Sequence, residues 1–282
     1  SAITKPYSDR MTNRYQWCVA AVPSVGWAKK IFPEDRAGAA VEKLWELILK
    51  VSRADGKDPL TDWMWHNRNL REKCEKINAL GLVSLEYKSS NGTNLKVGLI
   101  ERAHFIAGKK NTVGGNYFNP NIPTEECFTT PKRGEAEGIV YATMPLSYGG
   151  ELIEDFWLRF EHGRAVACGA KTNESLLRKI LAMDEGAAFL GECALVPYDS
   201  PVSRTGILFY NTLFDENASC HLALGRGYSN TIEGFETMQR SDFSDLGVND
   251  SSVHVDFMIG SADLSITGVT KSGGRIPVFE HG

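Results

Sequence analysis

The chain has 282 residues, 42% hydrophobic and 10% aromatic, which is an ordinary globular composition with length enough for one large domain or two. A net charge of −4 and the lack of any Lys/Arg-rich run argue against a nucleic-acid partner. No apolar stretch reaches the roughly 18 residues of a membrane span, and residues 1–14 are too polar for a secretory signal, so a cytoplasmic protein without membrane contact is expected.

Residues 17–22 are an apolar run of strand length, stopped by Pro23-Ser24. A helix follows Pro33-Glu34-Asp35, with Val41, Leu44, Trp45, Ile48 and Val51 on one stripe, and closes at Asp55-Gly56. A second helix is predicted over 61–80, with Trp65, Leu70, Cys74 and Ile77 facing inward and Gly81 as its stop. The period then changes to two. Strands are predicted over 82–88, 95–100, 104–107, 138–144, 156–160 and 164–168, with turns at Asn91-Gly92 and His162-Gly163. Residues 176–190 read as helix, 192–196 and 207–210 as strands, 215–224 as a short helix capped by Asp215, and 253–259 as an apolar strand. The expected fold class is α/β in the mixed α+β sense, a largely antiparallel or mixed sheet with flanking helices, in one compact unit over 1–282. The six cysteines form no CxxC pair, so reduced, mostly buried thiols are expected rather than a zinc knuckle or a disulfide framework.

Four segments carry candidate chemistry. On the 253–259 strand, His254 and Asp256 share one face while Val253, Val255 and Phe257 share the other. Such a pair suits a metal or acid/base work; the alternative is a polar strand face meeting solvent. His221, in Asp215-Glu216-Asn217-Ala218-Ser219-Cys220-His221, lies within the short helix, where a histidine on a mixed face is the plainer reading. Glu125 and Glu126 follow Pro123-Thr124. Either they are first-turn acids complementing a helix dipole, or they diverge from an extended segment, one binding metal and the other serving as base or second ligand. Glu192 opens an apolar strand, either as an exposed strand end or as a ligand.

Taken together, three of these segments place a cysteine beside the candidate ligand: Cys127, Cys193 and Cys220. A small apolar-like residue turned into the core beside a polar one turned outward is the pattern of a buried cage. Three carboxylates and two imidazoles suit zinc, cobalt or manganese in a hydrolytic site. Five ligands exceed one tetrahedral ion and point to two metals sharing a carboxylate. No HExxH, GxSxG or phosphate-loop pattern is present.

These stretches, NIPTEECFTTP (121–131), LGECALVPYDSP (190–201), FYNTLFDENASCHLALGRGY (209–228) and HVDFMIGSADL (254–264), together resemble the bacterial metallo-aminopeptidases typified by aminopeptidases T and S and PepS. The resemblance implies two divalent metal ions, zinc or cobalt foremost with manganese or magnesium as alternatives, on Glu126, Glu192, His221, His254 and Asp256. It also implies Tyr228, seven residues after the first ligand histidine, as the group that stabilises charge on the attacked carbonyl. Glu125, beside a ligand, is the candidate general base. The expected activity is removal of N-terminal residues from peptides with a free N-terminus, by a protein that is a homodimer at full length. Members carry a further N-terminal α/β domain of roughly a hundred residues, the scale of a small domain, which has no counterpart in these residues, and a few more residues at the C-terminus. The alternatives are a metallohydrolase acting on another amide or ester bond, and an inactive metal-binding or dimer-forming fragment.

Overall fold

A computed structural model describes residues 13–282. Three helices come first. In α1 (Val25–Ile31) the Ser24 side chain accepts the Trp27 N–H as N-cap. In α2 (Ala37–Val51) Ala40, Leu44, Ile48 and Val51 form the buried stripe. Asp58 caps α3 (Pro59–Asn78), which has proline in its first turn; Gly81 follows in the left-handed region at φ 61°. Leu70 and Cys74 of α3 are buried, but Trp65, expected inside, is 60% exposed. The inner stripe runs through Trp63, His66, Leu70, Cys74 and Ile77, and Trp65 falls between its rows. The Arg68 guanidinium lies over its ring, 4.8 Å from the centroid.

The strands form two main sheets. The larger takes β1 (Leu82–Lys88), β2 (Asn94–Leu99), β6 (Pro131–Tyr141), β9 (Trp157–Glu161), β10 (Arg164–Gly169), β14 (Ser265–Thr270) and β15 (Arg275–Phe279) in the order β10-β9-β6-β2-β1-β14-β15. The smaller takes β5 (Cys127–Thr129), β11 (Leu190–Leu195), β12 (His221–Gly225) and β13 (His254–Met258) in the order β13-β12-β11-β5. Two short hairpins complete the set, β3 (Lys110–Asn111) with β4 (Tyr117–Phe118) and β7 (Leu146–Tyr148) with β8 (Glu151–Ile153). All neighbours in the two main sheets pair antiparallel. A shared core joins the sheets: Leu85, Tyr87, Val97 and Leu158 from the larger meet Leu195, Leu222, Leu224 and Phe257 from the smaller. A second cluster packs α1 and α2 onto Phe209 and Phe214, whose rings stack at 4.9 Å.

Several local expectations shift. Residues 17–22 contribute one bridge, Val19 to Asn121, and 104–107 one, Ile106 to Phe128, rather than strands. Residues 207–210 form none, because the buried Asp215 carboxylate takes the Phe209 and Asn211 N–H groups that a ladder would use. The helix expected over 176–190 is only α4 (Glu174–Leu181), followed by a short turn at Gly186–Ala188. Five of the six cysteines are buried, but Cys18 is exposed, and all six are free thiols. Among the described residues, no helix is long and apolar enough to cross a membrane.

Candidate active site

The smaller sheet presents candidate ligands on one face and apolar side chains on the other. The pairing sets Glu192 opposite Ala223, which in turn lies opposite Asp256. His221 lies opposite Ala194, and His254 opposite Gly225. Each ionisable residue therefore faces a small neighbour, which leaves space for polar groups to converge. Alternation sends Cys193, Leu195, Leu222, Leu224, Val255 and Phe257 to the core side. The register shifts between Leu190 and Glu192, a bulge of the kind that re-aims side chains beside functional sites. The bulge is tight: a Cβ on Gly191 would strike the Arg226 carbonyl.

Glu126 precedes β5 and joins this face, above a cavity of about 300 Å³ whose lining includes Glu126, Glu192, Glu216, His221, His254 and Asp256. Two trios of donor atoms form, Glu126/Glu192/His221 and Glu192/His254/Asp256, each with its atoms within 4.8 Å of one another. Glu192 belongs to both. His221 Nε2 lies 3.2 Å from Glu126 Oε2; His254 Nε2 lies 3.0 Å from Glu192 Oε2 and 3.1 Å from Asp256 Oδ1. Each imidazole donates its other nitrogen to a backbone carbonyl, His221 to Ser219 at 3.3 Å and His254 to Arg226 at 2.7 Å. Both Nε2 atoms are thereby aimed at the carboxylates.

The electrostatics show how crowded this negative charge is. Burial, with Glu126 and Asp256 adding to it, pushes Glu192 up to about 7. Burial and the carboxylates of Asp256 and Glu126 push Glu216 well above its ordinary value. Burial opposes a charged His221, yet Glu126, Glu192 and Asp256 together lift it to about 10. His254 is likewise raised, Asp256 and Glu192 outweighing its burial. The buried carboxylates thus favour the protonated form of both imidazoles.

Among the other expected site residues, Tyr228 lines the cavity with its hydroxyl 3.3 Å from His254 Nε2. Burial and the surrounding carboxylates raise its pKa, so it stays a proton donor. Its backbone is gripped by Thr130 Oγ1, which bonds both its N–H and its carbonyl. Glu125, the expected general base, is engaged elsewhere. The carboxylate turns away from Glu126 into a two-pronged pair with Arg53, Nη1 to Oε1 and Nη2 to Oε2 at 2.8 Å. It is not among the residues lining the cavity. His221 opens β12 instead of lying in a helix; α5 (Thr212–Asp215) ends earlier and is capped by Asn211, not Asp215. A run as short and apolar as His221–Gly225 fits either element, and pairing on both sides makes it a strand.

Glu216 is the residue that sequence reading passed over. It follows α5 directly and reaches the cavity, while Asn217 beside it accepts the Glu125 N–H at 2.6 Å. The only signal was an acid five residues before a candidate ligand histidine, in a stretch that a capped helix already explains.

Residues 1–282 match the Peptidase M29 family, described as thermophilic metalloprotease, and the chain belongs to that family. It is 45% identical over 272 residues to aminopeptidase AmpS of Bacillus subtilis, covering 96% of this chain and 66% of that protein. Identity to aminopeptidase T of Thermus thermophilus is 44% over 266 residues, covering 94% and 64%. The solved structure of wild-type AmpT from Thermus thermophilus matches with a TM-score of 0.90 at 42% identity, covering 99% of this chain and 67% of that one. The chain thus spans about two thirds of the length of the curated relatives it matches.

Proposed function

We propose that residues 1–282 form the catalytic domain of a metal-dependent aminopeptidase and that the cavity is its dinuclear centre. The observation that carries this reading is the convergence of Glu126, Glu192, His221, His254 and Asp256 into two trios sharing Glu192. The donor set fits: oxygens and imidazole nitrogens without thiolate suit zinc or cobalt, and also manganese or magnesium where oxygens predominate. Ions held by these residues would offset the crowded negative charge that raises Glu192 and Glu216.

When bound, such ions supply a water acidic enough to ionise near neutrality and a polarised scissile carbonyl. The chain supplies the rest. Glu216, half-buried at the cavity and in no salt bridge among the described residues, is placed to take a proton and pass it to the leaving amine. Glu125 has both oxygens on Arg53, and we reassign the base role from it to Glu216. The Tyr228 hydroxyl donates to the oxyanion. Four carboxylates around one cavity favour a substrate bearing an α-ammonium, hence peptides with a free N-terminus. A cytoplasmic location accords with six free thiols, and a homodimer follows from the family resemblance.

Metal content and release of N-terminal leucine from peptides, measured together on protein supplied with zinc or cobalt, test the reading. About two ions per chain and activity abolished by EDTA are expected. Cleavage of phosphate esters but not peptides would favour another metallohydrolase; metal without activity, a binding module; no metal uptake would remove the centre altogether.

A further inference from the structure

Asp184 lies in the turn between α4 and β11, outside the cavity lining, yet one carboxylate gathers five hydrogen bonds. It accepts from Ser251 Oγ at 2.8 Å and 3.1 Å, Ser252 N–H at 2.7 Å, Ser252 Oγ at 2.5 Å and Ala187 N–H at 2.8 Å. Ala187 belongs to the turn that leads into β11 and Glu192; Ser251 and Ser252 lead into β13, with His254 and Asp256. The seam between them continues inward. The Ser251 carbonyl accepts Arg226 Nε at 2.8 Å, Arg226 N–H donates to the Val253 carbonyl at 2.8 Å, and the Arg226 carbonyl accepts His254 Nδ1–H. Asn249, 1% exposed, bonds the Gly186 and Gly225 carbonyls across the same seam. The packing leaves no slack, since a Cβ on Gly186 would overlap the Asp250 carbonyl.

We propose that Asp184 is the positioning residue of the Glu192/His254/Asp256 trio: it clamps the two lead-ins that deliver these ligands and so fixes the direction of the His254 ring. This rests on the metal-centre reading above. A clamp on one trio has an asymmetric consequence, because Glu126 and His221 enter the cluster from other segments.

The test is titration of Asp184→Ala with cobalt, followed by its visible absorption, beside His254→Ala and His221→Ala, which mark the two ions. The ion weakened in His254→Ala is expected to bind about 10–100-fold more weakly in Asp184→Ala, the range for lost outer contacts. The other ion shares only Glu192 with the clamped trio and is expected to weaken clearly less. A role confined to general stability would lower the melting temperature and weaken both ions alike, and that result, or two unchanged ions, overturns the proposal. Should Asp184→Ala not fold, Ser252→Ala deletes one bond of the clamp and is expected to weaken the same ion several-fold. If the wild type takes up no metal, the centre fails rather than the clamp. The imidazole ¹H–¹⁵N spectrum of the metal-free protein then decides the clamp: a His254 Nδ1–H held on the Arg226 carbonyl and slow to exchange in the wild type, but fast to exchange in Asp184→Ala, supports it, and an unchanged spectrum overturns it.

Discussion

The two faces of the smaller sheet are built from the same four strands and share one backbone, yet they obey different rules. Its core face carries Cys193, Leu195, Leu222, Leu224, Val255 and Phe257 packed against the larger sheet. The opposite face carries Glu192, His221, His254 and Asp256, with Glu126 beside them, and is nearly as buried: His221 is 1% exposed and Glu192 3%. Burial alone therefore does not separate the structural face from the chemical one. The difference is what each side chain finds when it arrives, dispersion contacts on one side and unneutralised charge on the other.

Substitutions on each face should break the protein differently. His254→Ala is expected to take peptidase activity below detection and release one ion, with the metal-free fold intact; metal analysis and circular dichroism check this. Leu222→Ala, on the same sheet but pointing the other way, is expected to cost about 2–5 kcal/mol of stability in urea unfolding, while the surviving folded fraction keeps both ions. An equal loss of metal in both variants would erase the distinction. Arg53→Ala leaves the Glu125 carboxylate buried without its partner and is expected to cost about 3–5 kcal/mol; Glu125→Gln should be milder. A base role for Glu125 would instead appear as a displaced acid limb of the pH–rate profile in Glu125→Gln.

Smaller effects sharpen the comparison. Tyr228→Phe is expected to lower kcat by about 10²–10³-fold, in the range of a lost oxyanion donor, with metal content unchanged. Asp184 is a pH-dependent case. Hydrogen bonds from the Ser252 side chain and backbone hold its carboxyl at about 2, below the ordinary 3.8. Its contribution is therefore complete above the ordinary value and lost as pH falls through the depressed one. The stability gap between wild type and Asp184→Ala, measured by urea unfolding, is expected to narrow as pH drops from about 4 to about 2.

What could be read from the sequence follows the same division. Two-residue alternation at 253–259 placed His254 and Asp256 together, and cysteines beside three candidate ligands marked which neighbours turn inward. Alternation also said that Glu125 and Glu126 diverge. It did not say which one meets the cavity, because Arg53, seventy-two residues earlier in sequence, decides that. Glu216 escaped notice for a related reason: an acid after a short helix has a sufficient local explanation, and its encounter with Asp256 and Glu126 is made by tertiary folding. The antiparallel, mixed α+β character was legible from period and turn residues. The split into two sheets was not, since the strand order joins β1 to β14 and β2 to β6 across long stretches of chain.

The thiols that line the core face also give the molecule an internal clock. Cys127, Cys193 and Cys220 each adjoin a residue of the ligand cluster and are 3% exposed or less, whereas Cys18 is open to solvent. An alkylating reagent therefore meets one cysteine at once and these three only when the sheet parts. Their slow labelling would time the breathing of the strands that hold the cluster, and a ligand that knits those strands together would slow it.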